Sequence, residues 1–136
     1  MNKLLLLALA TTVLFGCASE GSSPGSAATA AEVAIPKEQL IANHTNTIVK
    51  VTFSNGDRAE NTFGADHAVR SIYSGRDGSE SNEGTWSLKG DDVICFTWKN
   101  KKWEDSCWKD YKVGDQNVSY EQGGKKRKAR FTVAPI

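Results

Sequence analysis

From Asn46 onward, apolar and polar positions alternate in short runs separated by turn residues. Thr47-Ile48-Val49-Lys50-Val51-Thr52-Phe53 is rich in β-branched side chains and stops at Ser54-Asn55-Gly56-Asp57. Asn-Gly beside extended runs predicts a hairpin. Ala68 to Ser74 reads as a strand closed by Gly75-Arg76-Asp77-Gly78, and Gly84 to Leu88 as another, ending at Lys89-Gly90-Asp91. Val93 to Trp98, Trp103 to Tyr111, Gln116 to Tyr120 and Ala129 to Val133 follow, punctuated by Asn100-Lys101-Lys102, Gly114-Asp115 and Gly123-Gly124. Strands at roughly ten-residue intervals with tight turns predict an all-β fold, an antiparallel meander closing into a small barrel or sandwich of about seven or eight strands. Pro36 ahead of Lys37-Glu38-Gln39-Leu40-Ile41 predicts one short helix at the start of the domain, because proline suits a first helical turn.

The other end of the chain has a different texture. Residues 18–32 contain no large apolar side chain, so they cannot offset their ordering entropy and predict a disordered tether. Ahead of them lie Lys3, the apolar run Leu4 to Ala10, and Leu14-Phe15-Gly16-Cys17. A charged start, a short apolar stretch and a small residue before a cut describe a secretory signal, and the run is too short to span a bilayer. The cysteine after that cut resembles the lipobox of bacterial lipoproteins, with Phe15 in place of the usual small or β-branched residue. The resemblance implies lipidation at Cys17 and a membrane anchor in the cell envelope. Ala18 stands where aspartate would signal inner-membrane retention, so the outer membrane is expected. The chain then divides into a signal (1–16), a lipidated cysteine with linker (17–34) and a folded domain (35–136).

With Cys17 lipidated, Cys95 and Cys107 remain as an even pair, which in an oxidising compartment reads as a disulfide. The alternative, a zinc site, needs four ligands at regular spacings, and only His44 and His67 could join. A hairpin turn centred on Lys101 sets Cys95 opposite Cys107, Ile94 opposite Trp108 and Trp98 opposite Glu104. The face away from the disulfide then carries Ile94, Phe96, Trp98 and Trp108, the expected core, and Trp103 falls on the disulfide face.

The chain holds 17 basic and 16 acidic residues, and loss of Lys3 with the signal brings them level. That balance gives no sign of a nucleic-acid partner, which would show a basic excess. From Ile35 on, the order of Glu38-Gln39-Leu40, Asn46-Thr47, Asp77-Gly78, Gly84-Thr85-Trp86, Asp92 to Trp98 and Cys107 resembles a group of small secreted or lipid-anchored bacterial domains with no assigned function. Thr45 stands where that group usually has glycine. Its single Gly-x-Trp element on a barrel strand is lipocalin-like. The resemblance implies fold and compartment and carries no reaction.

Several constellations invite a functional reading beside a plainer one. Asp66-His67 and Asp91-Asp92 read as turns rather than catalytic or metal pairs. No catalytic set, metal site or cofactor loop is visible, so a non-enzymatic protein is expected. Trp86, Trp98, Trp103 and Trp108 serve either as barrel packing or, through Trp86, Trp98 and Trp103, as an aromatic-lined ligand pocket. The run Lys125 to Arg130 is either a solvated hairpin end or a ridge of Lys126, Lys128 and Arg130 meeting an anionic lipid or polymer or an envelope protein. Two function classes follow. One is a binding or structural module of the envelope, an inhibitor of a cell-wall-degrading enzyme among its options. The other is a carrier of a small apolar ligand inside the barrel.

Overall fold

A computed structural model describes residues 30–136. Cys17, the signal and most of the tether lie outside the described residues. The elements run β1 (Glu32–Ala34), α1 (Lys37–Asn43), β2 (Thr47–Phe53), β3 (Arg58–Phe63), β4 (Ala68–Gly75), β5 (Gly78–Lys89), β6 (Val93–Trp98), β7 (Ser106–Val113), β8 (Gln116–Gln122) and β9 (Lys128–Pro135). From β2 to β9 each strand pairs antiparallel with the next, and β9 pairs back onto β2. The result is an eight-stranded antiparallel closed barrel with β1 as a ninth strand beside β7. Closure matters because it leaves none of the eight strands with an open edge.

Two-residue alternation builds the interior. In β6, Ile94, Phe96 and Trp98 are buried, while Thr97 between them is exposed. In β9, Ala129 and Phe131 point inward, and Lys128, Arg130 and Thr132 point to solvent. The β6–β7 register is the one the sequence predicts: Ile94 faces Trp108 and Cys95 faces Cys107, with the disulfide formed and its Cα atoms 4.0 Å apart. The predicted extension to Trp98 and Glu104 does not form. Pairing stops at Phe96 and Ser106, because the Trp98 N–H donates instead to Asp105 Oδ1 at 2.9 Å.

The helix lies between β1 and β2 rather than ahead of every strand. Leu40, 1% exposed, joins the core, and His44 just beyond the helix packs edge-on to Phe63 with ring centroids 4.7 Å apart. Thr45 and Thr47 hydroxyls donate to the Ile41 and Asn43 carbonyls at 2.8 and 2.6 Å, satisfying groups that a helix end leaves bare. Together α1, Phe63 and Trp86 fill one end of the barrel. Two strands went unread in the sequence. One is β3, and the other is β1, which occupies the last residues of the segment assigned to the linker.

The Gly84-Thr85-Trp86 element owes its glycine to a close approach. A Cβ at Gly84 would lie 2.3 Å from the Thr97 carbonyl oxygen and 3.0 Å from the Trp98 ring, so no other residue fits without moving β6.

The disulfide closes a short loop, and by chain entropy it contributes about 3 kcal/mol. A Cys95→Ala/Cys107→Ala double variant is therefore expected to lose about 3 kcal/mol in chemical denaturation. Non-reducing mass spectrometry should find these two cysteines linked in the parent chain.

Candidate functional site

The end of the barrel opposite α1 is open. Four hairpin connections ring it, those between β2 and β3, β4 and β5, β6 and β7, and β8 and β9, and beneath them lies a cavity of about 370 Å³. That is at the small end of the range for ligand pockets. Space remains because small side chains, Ala59, Ser71, Ser119 and Ala129, occupy wall positions where larger ones would meet across the barrel. The aromatic part of the wall comes from Phe53, Tyr73, Phe96, Trp98, Trp108 and Phe131, with Trp103 near the rim.

Of the three tryptophans proposed for a pocket, the structure brings two together. Trp98 and Trp103 line the cavity, their rings T-shaped at 5.0 Å. The expectation that Trp103 lies on the disulfide face, apart from Trp98, is overturned: Trp103 sits in the β6–β7 loop, where strand alternation does not apply. Asn82 holds that loop, accepting the Asn100 N–H at 3.1 Å and donating to the Asn100 carbonyl at 2.9 Å. Trp103 Nε1 donates to Glu80 at 3.3 Å. Trp86 does not line the cavity. It is buried at the α1 end, stacked on His67 at 4.1 Å and tilted against His44 at 5.7 Å.

The basic run divides by position. Lys128 and Arg130 share the outer face of β9, with the Lys128 ammonium 5.4 Å from the Tyr120 ring centre. Lys126 is not on the strand; it lies in the preceding turn with φ +50°, so the three do not form one alternating row. The members of the run that line the cavity are Lys125 and Arg127, neither of them among the three expected contacts. The Arg127 guanidinium stands 5.2 Å from the Trp108 ring centre and 5.5 Å from that of Phe53. It also pairs with Glu121 at 2.6 Å. Burial pushes the Glu121 carboxyl up, but hydrogen bonds from the Arg127 side chain and backbone and its charge outweigh this and hold it below the usual range. Gly124, at φ +54°, holds a backbone conformation that side-chain-bearing residues rarely adopt, and a Cβ there would come within 2.9 Å of Glu121 Oε1.

Two ionisable groups deeper in the wall carry no predicted role. Asp110 on β7 is 4% exposed, and burial raises its pKa to about 6, partly offset by the Ser119 hydroxyl that donates to it at 2.5 Å. His44 is equally buried, and desolvation lowers its pKa to about 4 against the opposing hydrogen bond to the Leu40 carbonyl. At 2.7 Å from that carbonyl, Nδ1 must carry the proton, which leaves Nε2 an acceptor. Asn61 Oδ1, also in the cavity wall, is buried without a partner among the described residues.

His67 and the acidic pair behave as turn chemistry. His67 has φ +63°, and its Nδ1 meets the Trp86 carbonyl at 2.9 Å. Asp91 and Asp92 pair with Lys37 and Lys109 at 3.2 and 3.1 Å. Among the described residues, no cluster of His, Cys, Asp and Glu is arranged to hold a metal ion. No protein-family model, curated protein or solved structure matches the chain.

Asp110 and His44 give opposite pH dependences. Asp110 holds its proton more tightly folded than unfolded, so its contribution to stability is lost as pH rises from 3.8 to about 6. His44 holds its proton less tightly, so stability is lost as pH falls from 6.5 to about 4. Each amounts to about 3 kcal/mol over its window. Relative to the parent chain, Asp110→Asn should gain about 3 kcal/mol as pH rises through that range. His44→Gln should gain a similar amount, about 3 kcal/mol, as pH falls. Denaturant midpoints measured across the range check both slopes, and parallel curves for all three chains would contradict the assignment.

Proposed function

We propose that the protein is a non-enzymatic binding module whose barrel takes a small, largely apolar ligand at its open end. The observation that carries this reading is the cavity of about 370 Å³ with aromatic walls. A barrel of eight strands can be filled by its own side chains; here small residues stand at wall positions where large ones would have done so. Burying a compact apolar molecule against Phe96, Trp98 and Phe131 gains free energy in proportion to the area removed from water.

The test uses N-phenylnaphthylamine, a neutral apolar fluorophore that brightens out of water. The full-length chain should raise its emission saturably with one site. Ser71→Phe, which places a ring in the cavity from a wall residue 2% exposed, should abolish the rise while the disulfide and far-ultraviolet spectrum stay unchanged. A parent chain that leaves the fluorophore dark would defeat the carrier reading.

The compartment belongs to the same proposal. Lipidation at Cys17 would anchor the domain in the envelope, where a co-resident lipid or small amphiphile is available as ligand. Cys17→Ser is expected to remain unprocessed and to leave the membrane fraction, as read by fractionation and by mass of the mature N-terminus. Normal cutting and unchanged membrane association would remove the anchor from the proposal.

A second reading rests on a separate surface. Lys128 and Arg130 are exposed side by side on β9, and such a pair suits an anionic envelope partner, whether protein or polymer. An inhibitor of a cell-wall-degrading enzyme falls within that reading. Charge reversal at both positions should then release a co-purifying partner without altering fluorophore binding.

A further inference from the structure

Acceptors in the deep part of the cavity stand without donors among the described residues, Asn61 Oδ1 being one. Asp110 projects into it from β7, with one carboxylate oxygen taken by Ser119 and the other without a partner among the described residues. His44, across the floor, has committed its one proton to Leu40 and shows an acceptor nitrogen. A buried carboxylate is tolerated only where donors surround it, and here a single hydroxyl does so. The cations of this region, Lys102, Lys125 and Arg127, lie near the rim, and Arg127 is already neutralised by Glu121. Its position over Phe53 and Trp108 demonstrates that these ring faces accept a positive charge.

Building on the proposal that the cavity binds a small ligand, we infer that this ligand is a protonated primary or secondary amine on a compact apolar body, with its ammonium donating to Asp110. Its body would lie against Phe96, Trp98 and Phe131. The ammonium supplies donors to these acceptors, and a charge-assisted hydrogen bond is stronger than a neutral one. An anionic amphiphile meets the opposite conditions: its carboxylate would face Asp110, and the one well-placed guanidinium is already engaged.

Three probes of one shape separate the alternatives: phenylbutylamine, phenylbutanol and phenylbutyrate, titrated calorimetrically into the full-length chain at about pH 8, where carboxylates are ionised and the amine is protonated. The amine should bind about tenfold more tightly than the alcohol, and the carboxylate most weakly. Asp110→Asn, which keeps the shape and removes the charge, should bring amine and alcohol to within about twofold of each other. Ser119→Ala retains the carboxylate and should retain the preference. Should the substituted chains fail to fold, the parent alone decides the matter. Its preference for amine over alcohol should fade on acidification to about pH 4.5, where Asp110 takes up a proton. Equal binding of amine and alcohol by the parent chain, a preference that survives Asp110→Asn, or tightest binding by the carboxylate would each overturn the amine inference while leaving an apolar cavity intact. If even the alcohol fails to bind, the cavity proposal falls, and the inference with it.

Discussion

The ladder between β2 and β9, running from Thr47 opposite Pro135 to Phe53 opposite Ala129, is the constraint on which the rest depends. Without it the meander is an open sheet with two raw edges, and its inner face is a surface instead of an interior. With it, every inward residue must share one enclosed space with those of seven other strands. Side-chain size then decides where that space is full. Leu40, His44, Phe63 and Trp86 occupy the α1 end, whereas Ala59, Ser71, Ser119 and Ala129 leave room at the other.

The same enclosure explains the electrostatics. An ion pair at the rim, Glu121 with Arg127, can be held by complementary charge and repeated hydrogen bonds. Asp110 has only Ser119, and His44 only a backbone carbonyl, so desolvation dominates both and moves them in opposite directions. The rim of the cavity is therefore electrically settled by the chain itself, whereas desolvation governs the groups deeper in its wall.

Much of this architecture is legible in the residues. The strands with β-branched and aromatic alternation, β2 and β6, are readable with their observed limits, and the cysteine pair indicates the β6–β7 register and the core face. What escapes is whatever the interior holds that is polar. In β3 the inward residues are Ala59, Asn61 and Phe63, and the first half of β5, Gly78 to Glu83, carries no apolar side chain, so neither shows a hydrophobic period. Asp110, Ser119 and Glu121 are hidden for the same reason, since a charged residue on a strand ordinarily marks its solvent face. The cavity was thus concealed by the very side chains that make it more than packing. Trp103 misleads differently, because strand alternation does not hold in a loop whose course Asn82 and Asp105 dictate.

The most weakly attached strand is β1. It makes three pairs with β7, all its residues are exposed, and a Tyr120 hydroxyl bond to Glu32 is its main side-chain fastening. Whatever precedes residue 30, a pull along the chain from that side reaches β1 before any other element. Three antiparallel pairs part readily, and the load then passes through Ile35, whose N–H is bonded to the Asp110 carbonyl, to α1. Drawing α1 away withdraws Leu40 and His44 from the barrel floor while β2 and β9 remain zipped. Under tension the molecule would open from its stopper end and become a tube before it became a strand of unfolded chain.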